Sequence, residues 1–240
     1  MKFLMELGHS QRSTAAAMGR AIRAFPLFLP RRACVSIAMT MKTLGVLLSG
    51  RGSNFLAIAD NIAAGTIDAR IGIVISNRAD AGGIEEAKKR GIATCVLPSK
   101  GVAREEHDRR TVAALREAGT DWVVLAGYLR LLSPWFIEQF PGHILNIHPS
   151  LLPAFPGLEA QTQAFDYGSR ISGCTVHLVD EHLDHGPILV QKAVPVLDTD
   201  DAHTLAERIL VQEHIAYSEA IRIVLSGNYE IQGRRVIVKG

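Results

Sequence analysis

The six residues Thr43-Leu44-Gly45-Val46-Leu47-Leu48 form a charge-free, almost wholly apolar run. A strand with one wet face alternates polar and apolar residues, whereas a near-continuous apolar run is a strand covered on both faces, as in a parallel sheet under helices. Ser49-Gly50-Arg51-Gly52-Ser53-Asn54 follows at once, and then a helical pattern with Phe55, Ile58, Ala59 and Ile62 on one side. Similar apolar runs recur at 69–75, 93–97 and 122–126. They alternate with helical stretches at 83–90, ended by Gly91, and 102–118, ended by Gly119. Strand and helix in strict alternation predict an α/β fold, a doubly wound and mainly parallel sheet in a single domain.

The second half of the chain continues with different spacing. Ser133-Pro134 opens a short helix, because proline suits a first helical turn. Residues 159–167 fit a helix ended by Gly168, strands are expected at 173–179 and 188–196, and a long helix spans 202–225. Leu205, Ile209, Ile215, Ile221 and Val224 are its expected core contacts. The tail Tyr229–Val238 reads as an added strand or hairpin arm.

Glycines between a buried strand and a helix start make an anion site, since free N–H groups and the helix dipole both favour phosphate. A dinucleotide fingerprint needs a third glycine where Phe55 stands. It also needs an acid after the second strand, which instead ends in Ser76-Asn77. No Lys-Ser/Thr follows, so the loop is not a Walker motif. A monophosphate cradle at Gly52, Ser53 and Asn54 fits better, against the simpler reading of a tight turn.

The net charge of +2 gives no case for nucleic-acid binding, and it is unevenly placed. Residues 1–40 carry Lys2, Arg12, Arg20, Arg23, Arg31 and Arg32 against Glu6, a balance of +5, which leaves the remaining 200 residues at −3. That basic stretch, broken by Pro26 and Pro30, has the composition of a targeting peptide. The reading preferred here is a disordered or artefactual extension ahead of a body at 41–240. Cys34, Cys95 and Cys174 form no close pair, so neither disulfides nor a zinc motif is expected. No apolar run approaches the roughly 18 residues of a membrane helix. The expectation is a cytoplasmic protein of small-molecule substrates, monomer or homodimer, without membrane or nucleic-acid partners.

The chemistry gathers at His143–Glu159, HILNIHPSLLPAFPGLE. Ile144, Leu145 and Ile147 predict a short strand that Pro149 stops for want of an N–H. Alternation puts Asn146 and His148 on one face, roughly 7 Å apart along the backbone. An amide can donate to a developing oxyanion and an imidazole can carry a proton near neutral pH, which together suit attack on a carbonyl or formyl carbon. Further on, Asp180-Glu181-His182-Leu183-Asp184-His185-Gly186-Pro187, with His177, offers a metal reading. Its spacing matches no helix-borne H-E-x-x-H pattern, so no metal is expected.

Asn146-Ile147-His148-Pro149-Ser150-Leu151-Leu152-Pro153, together with Leu183-Asp184-His185-Gly186-Pro187, resembles the folate-dependent formyltransferase superfamily. The loop SGRGSN is similar to the phosphate loop of its glycinamide ribonucleotide branch. The resemblance covers residues 43–225 and implies a Rossmann-like fold and formyl transfer from 10-formyltetrahydrofolate, as co-substrate, to the glycinamide amine in purine synthesis. It implies catalytic roles for Asn146, His148 and Asp184, with Asp184 partnering an imidazolium at His148. It further implies ribonucleotide contacts at Gly52, Ser53, Asn54, Arg104 and Glu213. Folate contacts are implied at Leu129, Arg130, Leu132, Asn146, Asp180 and Asp184. Ala154, Glu159 and Gln161 depart from the family pattern and bear on ribonucleotide binding. Two rival readings remain: a formyltetrahydrofolate hydrolase, against which stands the lack of an upstream regulatory domain, and a non-catalytic module binding phosphoribosyl ligands.

Overall fold

The computed structural model describes residues 41–239, so the expectations for residues 1–40 lie outside the described residues. Among the described residues, nine strands make one sheet. In chain order the elements are β1 (Lys42–Leu48), α1 (Ser53–Ala63), β2 (Ala69–Ser76), α2 (Gly82–Lys89), β3 (Thr94–Val96), α3 (Arg104–Glu117), β4 (Trp122–Leu125) and α4 (Pro134–Gln139). They continue with β5 (Ile144–His148), α5 (Ala160–Asp166), β6 (Ile171–Leu178), β7 (Ile188–Pro195), α6 (Ala202–Ser226), β8 (Tyr229–Gln232) and β9 (Arg235–Val238).

The strand order is β3-β2-β1-β4-β5-β6-β7-β9-β8. The first five are mutually parallel, and β6 runs antiparallel to both β5 and β7. The order turns back at β1, where the chain leaves toward β2 on one side and β4 on the other. The crevice beyond the carboxyl ends of such strands is where doubly wound sheets bind ligands.

Alternation sorts the strand side chains between two cores. Leu44, Val46 and Leu48 join Phe55, Ile58 and the inner stripe of α6 on one face, while Leu47 joins Val112, Leu115 and Phe136 on the other. Each such side chain, fully buried, contributes about 1.5–3 kcal/mol. The Tyr217 hydroxyl reaches the Leu125 and Leu145 carbonyl oxygens at 2.9 and 3.1 Å, tying α6 to the ends of β4 and β5.

Two expectations need correction. Ile215 is not a core contact but half exposed, because Ala216, Tyr217, Ala220 and Ile221 take the inward stripe of α6. The third helix begins at Arg104 and not at 102. A turn from the Val102 N–H to the Ser99 carbonyl, with Gly101 at φ 76°, ends the preceding loop first. The tail does form a hairpin, β8–β9, and β9 meets β7 at Ile188 and Arg235.

Candidate active site

β5 delivers Asn146 and His148 to the carboxyl end of the sheet, as its two-residue period requires. The Asp184 carboxylate comes from the loop between β6 and β7 and touches both. Its Oδ2 lies 3.3 Å from His148 Nδ1, and Asn146 Nδ2 donates to its Oδ1 at 3.4 Å. The Gly157 N–H also donates to Oδ2, at 2.8 Å. The other ring nitrogen of His148, Nε2, lies 2.8 Å from the Phe155 carbonyl oxygen. Acceptors therefore face both ring nitrogens, and only a ring protonated at both can donate to both at once.

The Asp184 loop holds an uncommon shape. Asp184 itself is in the left-handed region, at φ 49°. Two residues on, a Cβ at Gly186 would stand 1.8 Å from the Leu178 carbonyl oxygen, so only glycine lets the loop lie against β6.

His177, which entered the sequence reading only with the metal possibility, stands next to Asn146 and Asp184. It pairs directly with Asn146 across the antiparallel β5–β6 ladder. Its Nδ1 faces the Leu178 carbonyl at 2.8 Å, and its Nε2 lies 3.2 Å from Asn146 Nδ2. Burial pushes the His177 ring below the ordinary imidazole value, with the Leu178 carbonyl and Asp184 opposing. A neutral ring donating from Nδ1 accepts at Nε2, and so turns the Asn146 amide N–H groups toward His177 and Asp184.

Across the crevice, α1 starts at the glycine loop. Gly52 precedes it at φ 79° and gives no side-chain cap. The first helical bond runs from the Leu56 N–H to the Gly52 carbonyl, and among the described residues the N–H groups of Ser53, Asn54 and Phe55 have no partner, the arrangement that suits an anion. The Asn54 side chain turns inward instead, and its Nδ2 donates to Glu213 Oε2 at 2.7 Å. Burial pushes the Glu213 carboxyl up, with that amide opposing. Asn54 and Glu213, expected together on one ligand, thus meet each other. Arg104 is exposed at the start of α3, and among the described residues it makes no hydrogen bond or ion pair with Gly52, Ser53, Asn54 or Glu213.

The loop of Leu129, Arg130 and Leu132 stands between these two sides. Leu129 is 65% exposed and Leu131 51%, an apolar wall open to a flat ligand. Its backbone is pinned beneath: Leu129 N–H donates to Ser49 Oγ, and Ser133 N–H donates to buried Asp108 Oδ2.

Asp180, His182 and His185 bring three ligand-type atoms within 4.8 Å of one another. Those atoms already serve each other. His185 Nδ1 lies 2.9 Å from Asp180 Oδ2, and Arg234 Nη1 lies 2.7 Å from His185 Nε2. A guanidinium against the ring repels a cation. Burial pushes the Asp180 carboxyl up, but hydrogen bonds from His185 and the His182 N–H outweigh it and hold the carboxyl below its usual range.

A helix start after a glycine turn, an exposed apolar loop and an Asn–His–Asp trio stand at the carboxyl ends of the strands of a doubly wound α/β sheet. Residues 42–221 match the family profile described as formyl transferase, and the chain belongs to that family. It is 41% identical over 187 residues to the phosphoribosylglycinamide formyltransferase of Escherichia coli K12, covering 78% of this chain and 88% of that one. It is 44% identical over 194 residues to the trifunctional purine biosynthetic protein adenosine-3 of Drosophila pseudoobscura pseudoobscura, covering 80% of this chain but spanning only 14% of that protein. Among solved structures, glycinamide ribonucleotide transformylase 1 from Symbiobacterium toebii superposes with a TM-score of 0.81 at 47% identity, covering 83% of this chain and 95% of that one.

Proposed function

We propose that this chain transfers the formyl group of 10-formyltetrahydrofolate to the amine of glycinamide ribonucleotide, a step of purine synthesis. The observation that carries the reading is the single Asp184 carboxylate shared by His148 and Asn146 beside an uncapped helix start. The ribonucleotide phosphate sits on the N–H groups at Ser53 and Asn54, after the turn at Gly52. Glu213 and Arg104 contact the rest of that ligand. The folate ring lies on the wall of Leu129, Arg130 and Leu132, with Asp180 and Asp184 closing the opposite side.

The amine attacks the formyl carbon directly. The C–N bond to the incoming amine forms, and negative charge collects on the formyl oxygen. Asn146 Nδ2, exchanging its 3.4 Å bond to Asp184, and the protonated ring of His148 donate to that oxygen, which takes the place of the Phe155 carbonyl at Nε2. Asp184 balances and orients the imidazolium. The tetrahedral intermediate collapses as the bond to the folate nitrogen breaks, and the attacking amine's proton passes to that nitrogen through water held by Asp184. No metal and no covalent enzyme intermediate take part.

Residues 41–240 act as one formyltransferase domain, as a monomer or homodimer in the cytoplasm. Among the described residues no helix is long and apolar enough to cross a membrane. The deciding experiment follows deformylated folate by absorbance, with and without glycinamide ribonucleotide. Turnover that requires the ribonucleotide is expected. Folate release without it marks a hydrolase, and no release in either case leaves a binding module.

A further inference from the structure

Beneath the apolar wall runs a closed circuit of hydrogen bonds that the chemistry above does not use. The Leu129 N–H donates to Ser49 Oγ at 2.8 Å. Ser49 Oγ–H donates to Asn77 Oδ1 at 2.6 Å. Asn77 Nδ2 donates to Ser99 Oγ at 3.1 Å, and the Ser99 N–H returns to the Asn77 carbonyl at 3.2 Å. Arg130 closes the loop, its Nη1 donating to the Ser99 carbonyl at 3.4 Å and its Nη2 to the Val102 carbonyl at 3.2 Å.

The donors run in a definite order. Ser49 gives its one hydroxyl hydrogen to the Asn77 oxygen and accepts from Leu129 on a lone pair. With its oxygen on Ser49, Asn77 turns its NH₂ toward Ser99. Ser49 and Asn77 are both buried, so water does not substitute for a lost partner without opening the crevice. Two consecutive wall residues, Leu129 and Arg130, thus donate into opposite ends of one connected set of bonds that meets at Ser99. Leu129 meanwhile keeps its apolar side chain in the open, where packing alone would draw it inward.

We propose that Asn77 is a positioning residue for the folate substrate: through Ser49 it sets the Leu129 backbone, and through Ser99 it sets Arg130, so that the wall is ready-made for a flat ring. The proposal rests on the folate reading of that wall. It assigns Asn77 no contact with the reacting atoms. The barrier to reaction is therefore left alone and the affinity for folate is what changes.

The experiment uses the full chain and compares Asn77→Ala, Ser49→Ala, the double variant and Asn77→Asp. Losing one buried hydrogen bond of this kind predicts a folate KM raised about tenfold in each single variant, with kcat within about threefold and the ribonucleotide KM within about twofold. The double variant is no worse than either single one, because both cut the same chain. Asn77→Asp keeps an acceptor for Ser49 and restores the folate KM to within about threefold of wild type. In the ligand-free protein, amide exchange over residues 128–132 is faster in both alanine variants. An unchanged folate KM in both single variants overturns the proposal, as do additive losses in the double variant. A drop in melting temperature with folate KM unmoved means that the circuit only stabilises the fold. If Asn77→Ala does not fold, Ser49→Ala decides, since it removes the Leu129 acceptor and the link to Asn77 while leaving the Asn77 bonds to Ser99 in place. Wild-type protein that does not turn over folate sinks the functional reading, and amide exchange then still decides whether the circuit holds the wall.

Discussion

The two sides of the crevice are built from different materials. The cradle side, at the end of β1, offers backbone N–H groups after the turn at Gly52, those of Ser53, Asn54 and Phe55. The β5–β6 side works with ionisable groups in contact: His148, Asp184 and His177. Peptide dipoles favour an anion without themselves titrating. Proton traffic needs groups that titrate, and those must be locked so that their charges stay paired. Parallel strands ending beneath helix starts suit the first task. The antiparallel pair β5–β6 suits the second, because it sets Asn146 and His177 directly opposite each other.

The largest effect is expected from His148→Ala. Losing one oxyanion donor lowers kcat on the order of a hundredfold to a thousandfold. Ribonucleotide binding by calorimetry stays within about twofold, because the cradle is untouched. A parallel loss of ribonucleotide affinity would break the division of labour.

Gly186→Ala attacks the same side through the backbone. A Cβ 1.8 Å from the Leu178 carbonyl oxygen has no flexible neighbour to push aside, so the loop moves and takes Asp184 with it. Overpacking of this kind costs about 1–3 kcal/mol, or about 2–12 °C of melting temperature for a domain this size. Calorimetry reads the drop, and kcat falls with it.

Gly52→Ala tests the cradle. Its left-handed φ of 79° costs a side chain about 1–2 kcal/mol, and the Cβ would come within 3.0 Å of Gly83 Cα. The expected result is a ribonucleotide KM raised about tenfold with kcat little changed. An equal fall in kcat would mean that the two sides are not separable.

The smallest effect is in stability against pH, and it has opposite signs on the two sides. Unfolded, His177 takes up its proton at the ordinary 6.5, whereas folded it resists until lower pH. Just below 6.5 the unfolded chain therefore binds more protons, and stability falls as pH falls. Glu213 does the reverse. Its raised folded value means that stability is lost as pH rises from 4.5 through that value. Melting curves across pH should show His177→Asn flattening the acid limb and Glu213→Gln flattening the other, each by a few degrees at most.

How much of this was legible in the residues follows from range. The buried run at Thr43–Leu48, the glycine loop and the shared face of Asn146 and His148 depend on neighbours within a few positions, and all stand in the structure. Asp184 was placed beside His148 by family resemblance, since nothing local fixes a contact 36 residues away in sequence. His177 needed the β5–β6 register, which only the assembled sheet supplies. The meeting of Asn54 with Glu213 joins α1 to α6 across most of the chain. Ile215 was misread because the apolar stripe of α6 is carried partly by Ala216 and Ala220, small residues that a search for large ones passes over. The Phe155 carbonyl at His148 is a backbone atom in a loop, and no side-chain motif announces it.

The ends of the sheet have a bearing on how copies of the chain behave together. An open sheet offers two rows of unpaired N–H and C=O groups, and long flat edges recruit strands from other molecules into aggregates. Here the two terminal strands are β3, three residues long, and β8, four. β8 carries Glu230 in an ion pair with Lys239, so a passing strand would have to strip a charge as well as find its register. The hairpin's β9 pairs with the start of the eight-residue β7, at Ile188 and Arg235, so that β7 is not a terminal strand of the sheet. The small arm thus leaves a short, charged strand, rather than a long one, as the last edge of the sheet.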